Sequence, residues 1–243
     1  MDESFRTVLG ALVAGVPLGQ EESTAQRQRP FITIARQAGA GGRSLMGKLV
    51  QRLRELDPAQ PPWTGFDREL VEKVAAEHQL YQPLVESLGR ESRSYLEELL
   101  ASLTVHHPMP TEFAVYRRVA QTIRALAQAG RVIIVGRGGV FITHKMPNGL
   151  HILLVAPLED RIEATRQRLG LSRQDAAEWV KRLDENRQAF YRRYWPQHST
   201  GPESFSVTYN TASLSDDAIV ESILPLIPGL HLTVGAAAPQ QVG

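Results

Sequence analysis

The stretch Phe31-Ile-Thr-Ile-Ala-Arg-Gln-Ala-Gly39-Ala-Gly41-Gly42-Arg43-Ser44, followed by an apolar-periodic run to about Leu56, decides how this chain folds. Phe31 to Ala35 is aromatic, β-branched and small, the composition of a buried strand. Leu45, Met46, Leu49, Val50, Leu53 and Leu56 then recur at helical spacing. The order is strand, glycine turn, helix. A helix leaves its first N–H groups unpaired and carries partial positive charge at that end, so a glycine turn leading into one can wrap those donors around an anion. Three readings are open: a phosphate cradle, a structural strand-to-helix turn and a dinucleotide site. Set against G-x-x-x-x-G-K-[ST], the stretch has Gly39, Gly41 and Gly42 but no lysine. Gly42 or Arg43 takes the lysine's place, depending on register, and Ser44 supplies a hydroxyl for a magnesium ion. Set against G-x-G-x-x-G, the stretch has Ser44 where the third glycine belongs.

Downstream, Asp57 to Pro62 reads as a loop and Trp63-Thr-Gly-Phe66-Asp67 as a short second strand ending in a carboxylate. Asp67 either caps the next helix or faces a ligand in the crevice at the strands' carboxyl ends. Lys73, early in that helix, is expected to point at the same crevice. Leu84 to Leu103 and Glu112 to Ala129 are helical in pattern, with Thr104 to Pro110 breaking the run, so a helical insertion spans about 70–129. Arg131-Val-Ile-Ile-Val135 is the clearest strand, and Gly136-Arg137-Gly138-Gly139 follows it directly. Arg137 is thereby a phosphate-binding side chain at a strand end or a turn residue facing water.

His151 to Ala156 is a fourth strand, and Pro157 opens a helix. From Arg161 to Arg193 nine basic residues stand against five acids, a local charge of +4. Gly170-Leu171 interrupts the helix, Ser172-x-x-Asp175 makes a capping box, and Asp184 stands three residues before Arg187 on one helical face. The segment is a solvated helix pair or a mobile, arginine-rich hairpin at about 166–193. Phe205 to Thr211 is a last strand, and Ser213 or Ser215 caps a helix that Pro225 and Pro228 end. Residues 228–243 read as a disordered tail.

Upstream, residues 1–29 read as a short amphipathic helix and a polar linker. Val8 to Val16 has about the length of a signal-peptide core, but Asp2 and Glu3 against a single Arg6 give it the wrong charge for secretion. That helix packs on the body or on a second subunit, so a homodimer stays open, and the expected location is cytoplasmic. No run approaches the roughly 18 apolar residues of a membrane span. A net charge of +1 provides no global pull toward nucleic-acid polymer or membrane, so an anion site has to be local. The absence of cysteine excludes disulfides and zinc–thiolate sites. His106-His107, beside two prolines, reads as a loop pair.

Five strands alternating with helices, a helical insertion after the second and an arginine-bearing hairpin after the fourth resemble the nucleoside monophosphate kinases, and most closely the cytidylate kinase-like family. The resemblance covers about Pro30 to Leu226. It rests on Ile34-Ala-Arg-Gln-Ala-Gly-Ala-Gly-Gly-Arg43 and Val132-Ile-Ile-Val-Gly-Arg137, supported by Phe66-Asp67-Arg-Glu-Leu70, Ala156-Pro-Leu-Glu-Asp-Arg161 and Asp184-x-x-Arg187. It implies an α/β, three-layer P-loop NTPase-like fold with a five-stranded parallel sheet, a monophosphate-binding insertion and an arginine-rich lid. It further implies ATP, with Mg2+, as phosphate donor and a nucleoside monophosphate such as CMP or dCMP as acceptor. Gly39, Ala40, Gly41, Gly42, Arg43 and Ser44 would hold the ATP phosphates. Asp67, Lys73, Arg137 and Asp184 would serve the acceptor, and Arg43, Arg166, Arg168 and Arg187 the transferred group. The missing lysine leaves two other classes open: a nucleotide-binding module without turnover, and a kinase of a non-nucleotide small molecule.

Overall fold

Apolar residues alternate along the central strands between two separate cores, and this alternation builds the molecule in three layers. The structure is a computed structural model that describes residues 29–59, 61–86, 88, 94 and 110–230. Strand β1 (Phe31–Arg36) sends Phe31 into one core and Ile32 and Ile34 into the other. Strand β3 (Val132–Val135) likewise divides Val132 and Ile134 from Ile133 and Val135. Both faces are covered, which is why these strands read as continuous apolar runs.

Helices α1 (Gly42–Leu56) and α8 (Asp216–Ile223) cover the second face, with Leu45, Leu49, Leu53, Ile219 and Ile223 inward. The first face is covered by α2 (Arg68–Ala76), α3 (His78–Glu86), α4 (Pro110–Ala129) and the short α5 (Gly139–Thr143). Helices α6 (Leu158–Leu169) and α7 (Arg173–Tyr194) form a hairpin with a small core of its own, Ile162, Ala176 and Val180, into which Ala38 of the glycine turn is tucked.

With β2 (Thr64–Phe66), β4 (Gly149–Val155) and β5 (Val207–Asn210), the sheet has five strands in the order β2-β3-β1-β4-β5, all parallel. Phe31 lies opposite both Val132 and Gly149, so β1 is the centre of the sheet. The chain leaves β1 toward β2 on one side and later crosses to β4 and β5 on the other. Such a reversal of strand order opens a crevice at the carboxyl ends of the strands. The expected three-layer α/β fold is the one observed.

Several boundaries differ from expectation for local reasons. Arg131 does not begin β3: its φ is 55° and its guanidinium reaches the Asp57 carboxylate and the Ala59 carbonyl, each at 2.8 Å. The glycines after β3 lead into the buried helix α5, which the sequence did not announce. Phe205 belongs to the first core and precedes β5, which begins at Val207. Ser215, and not Ser213, caps α8. The expected N-terminal helix, the C-terminal tail beyond Leu230 and the Leu96–Pro108 part of the insertion lie outside the described residues. Among the described residues, no helix is long and apolar enough to cross a membrane.

Candidate functional site

The start of α1 differs from those of α2, α7 and α8, and among the described helices it shares its form with the five-residue α5. The N-cap is Gly41 in the left-handed region, no side chain caps the helix, and its first turn contains no acid. By contrast, α2, α7 and α8 are capped by Asp67, Ser172 and Ser215, each with an acid in the first turn. A helix start without side-chain cap or acid leaves its N–H donors and partial positive charge for something else. Glycine at 39 is dictated twice over: φ is 83°, and a Cβ there would run into the backbone carbonyl of Arg161.

The turn is strapped from behind. Asp184 accepts from the Ala38 N–H at 2.7 Å and from Arg161 Nη1 at 2.6 Å, and Arg161 also donates to the Ala38 carbonyl at 3.1 Å. Both partners are largely buried at the root of the α6–α7 hairpin. This pair thus ties the hairpin to the glycine turn.

In front of the turn lies a cavity of about 520 Å3, within the usual range for a small-molecule site. Every residue from Gly39 to Ser44 lines it; six arginines in all (Arg36, Arg43, Arg68, Arg137, Arg168, Arg187) stand there against two carboxylates (Asp67, Glu69). Among the described residues lining it there is no lysine. An excess of arginine over acid in one concave surface gives it a positive field that favours anions.

Each expected residue now has a place. Arg43 is exposed and reaches Asp67 at 2.6 Å and Glu69 at 3.6 Å. Asp67 does both of the things left open for it, capping α2 through the Leu70 N–H at 3.1 Å while holding Arg43. Ser44 lines the cavity and donates its hydroxyl to Asp216 of α8 at 2.6 Å. Arg137 sits at φ 54° between two glycines, unusual for a residue with a Cβ. It pairs with Glu72, lies over the Phe190 ring at 5.9 Å, and keeps its buried Nε without a hydrogen-bond partner among the described residues. Arg187 is 3.3 Å from Asp184, and Arg168 lies over Trp179 at 5.4 Å.

Three expected positions fall away from the cavity. Lys73 is exposed and not among its lining residues, because the helical turn that carries Val71 and Val74 inward presents Glu72 toward Arg137 instead. Arg166 forks onto Glu163, two bonds of 2.8 Å on the exposed side of α6. Asp184 is engaged by the turn and by Arg161 and does not line the cavity.

Arg36, Glu72 and Tyr191 were not anticipated. Arg36 is the last residue of β1, and its signal was a charge at the end of an otherwise apolar strand. Burial, and then the neighbouring Arg187, push the Arg36 guanidinium down to about 10. Burial likewise lowers Arg137 and Arg187, with Glu72 and Asp184 respectively opposing it, and raises the Tyr191 phenol. A smaller cavity of about 300 Å3 shares Arg137 and Phe190 with the first and continues between Glu72, Val115, Tyr116, Val119 and Tyr194. Its floor is set by the buried bond from Trp195 Nε1 to the Tyr116 hydroxyl, 2.9 Å.

Residues 31–213 match the sequence profile of the cytidylate kinase-like family. A cytidylate kinase from Ignicoccus hospitalis is 26% identical over 138 residues, covering 56% of this chain and 80% of that one. A uronate isomerase from Corynebacterium glutamicum is 27% identical over 92 residues, 38% of this chain, which spans only 18% of that relative's length. Among solved structures, an uncharacterized protein from Eubacterium ventriosum superposes with a TM-score of 0.59 at 16% identity, covering 82% of this chain and 98% of its own. That likeness concerns the fold.

Proposed function

The chain belongs to the cytidylate kinase-like family, and on that premise we propose that it transfers a phosphoryl group from ATP to a nucleoside monophosphate, CMP or dCMP in particular. The observation that carries the reading is the pairing of an uncapped helix start with six arginines in one cavity at the carboxyl ends of β1 and β3. Phosphoryl transfer asks a protein for little covalent chemistry. It needs the two oxygens held in line and positive charge placed where the transition state spreads negative charge.

The residues divide that work. The N–H groups at the start of α1 and the Arg43 guanidinium face the donor phosphates. Arg137 faces the acceptor phosphate, its strained backbone and Phe190 holding the head in place. The smaller cavity, apolar with Glu72 on its wall, accommodates the acceptor's base. Arg168 and Arg187 of the α6–α7 hairpin approach from the opposite side and exclude water, which would otherwise consume ATP by hydrolysis. A guanidinium forks onto two oxygens, so several of them replace an ammonium without loss of charge.

Mg2+ fits the same edge. No group of three or more His or acidic side chains that could hold a metal ion occurs among the described residues. Nucleotide-bound Mg2+ needs only one or two protein oxygens because phosphates and waters supply the rest. Ser44 Oγ and the Asp216 carboxylate, 2.6 Å apart, are the oxygens available there. When bound, the ion neutralises charge on the phosphates. The partner is a small nucleotide and not a polymer, and a cytoplasmic location suits a chain that draws on the free nucleotide pool.

The test is a coupled assay of purified protein with Mg-ATP across all nucleoside monophosphates. Turnover of CMP or dCMP is expected. ATP binding by calorimetry with no acceptor turned over would instead mark a binding module, and turnover of a non-nucleotide metabolite alone would move the acceptor class.

A further inference from the structure

Aligned on Gly41, the G-x-x-x-x-G-K pattern places Arg36 at its first glycine and Gly42 at its lysine. The two departures from the pattern are therefore reciprocal: a cation is lost at one position and gained six residues earlier. The structure joins them in space. A Cβ on Gly42 would lie 3.2 and 3.3 Å from Cγ and Cδ of Arg36, and a Cβ on Gly136 would overlap its Nη1. The Arg36 side chain thus runs beneath the turn, through a channel that exists because both positions are glycine, from the end of β1 to the end of β3. A lysine at 42 and an arginine at 36 compete for one space.

The head of Arg36 ends among its own kind. It senses Arg187 and Arg137 as like charges, with Asp67 and Tyr191 as the opposing neighbours. Among the described residues, no carboxylate lies within ion-pair distance of Arg36, while Arg137 keeps Glu72 and Arg187 keeps Asp184. Arg137 Nε adds an unpartnered buried donor beside it. Positive charge partly withdrawn from water with no carboxylate partner costs free energy unless an anion completes the site.

We infer that Arg36 stands in for the absent lysine and binds the phosphate that passes between the α1 start and Arg137. This rests on the donor reading above and names the cation that makes it work. A guanidinium there lies between the two phosphate subsites, where it contacts the terminal phosphate of a triphosphate more than that of a diphosphate.

The experiment compares the unaltered chain with R36G, G42K and R36G/G42K by calorimetry with Mg-ATP, Mg-ADP and inorganic tripolyphosphate, and by thermal melting. R36G should weaken ATP and tripolyphosphate about tenfold to a hundredfold, the range for a charge-assisted contact, and ADP less. Its melting temperature without ligand should stay level or rise, since an uncompensated charge is gone. G42K alone should lose affinity through crowding, and the double variant should recover most of it. Equal ATP affinity for R36G and the unaltered chain, or a double variant no better than R36G, overturns the inference and leaves the kinase reading standing. If the unaltered chain ignores ATP yet binds tripolyphosphate through Arg36, the nucleotide reading fails and the inference holds. Binding of neither sinks both.

Discussion

Two arginines bracket the glycine turn, and the fold treats them oppositely. Behind it, Arg161 has three partners: Asp184 at 2.6 Å, the Ala38 carbonyl at 3.1 Å and the Ala156 carbonyl at 3.0 Å. In front of it, Arg36 is half-buried beside two further guanidinium groups with no carboxylate within ion-pair distance among the described residues. A buried charge with a full set of partners holds structure together. A half-buried charge left without them is free to take the anion proposed above. The difference makes the back of the turn architecture and leaves the front for the proposed phosphate chemistry.

The comparison breaks first at Asp184. Asp184→Ala leaves Arg161 buried and unpaired and frees the Ala38 N–H, and should cost about 3 kcal/mol in denaturant unfolding. A loss below about 1 kcal/mol would mean the strap is incidental. Arg137→Ala tests the front. It should reduce turnover of the acceptor about thirtyfold to a thousandfold, mostly as a weaker acceptor KM, with ATP affinity nearly unchanged. Equal loss of both nucleotides would contradict its place at the acceptor.

A third test uses a group kept neutral where Arg36 is kept charged. His151, hydrogen-bonded to Thr33 at 2.8 Å between β4 and β1, is held down to about 4 by burial and by His144. The unfolded chain binds that proton near 6.5, so stability is full above that pH and is lost as pH falls toward 4. The loss should amount to roughly 3 kcal/mol across that window. His151→Gln should flatten the profile; an unchanged slope would assign the titration elsewhere. The smallest effect is expected at Arg166, whose guanidinium is spent on Glu163 in solvent. Arg166→Ala should leave kcat/KM within about twofold, as exposed pairs contribute little.

Much of this was readable in the chain. Phe31–Ala35 and Val132–Val135 are unmixed apolar runs, and unmixed runs are what a doubly covered parallel sheet demands. The cap at Asp67 and the capping box at Ser172 are local chemistry and were legible for that reason. The glycine turn announced itself by spacing. What stayed hidden depends on which way a side chain faces once helices pack. Lys73 and Glu72 are neighbours in sequence, but only the packing of Val71 and Val74 decides which of them meets Arg137. Asp184 and Arg187 were expected to serve the ligand together; Asp184 still pairs with Arg187, but the distant Ala38 and Arg161 engage it as well. Arg36 was hidden by the motif itself, because a missing lysine directs attention to the position where it should stand and not six residues before it.

The account's central claim is that the backbone at the start of α1 receives phosphate. Amide chemical shifts in an isotope-labelled chain titrated with Mg-ATP measure this directly. The largest changes are predicted at Gly41, Gly42, Arg43 and Ser44, with those at the capped starts of α7 and α8 small. ATP binding that leaves the Gly41–Ser44 amides unmoved while shifting others would contradict it.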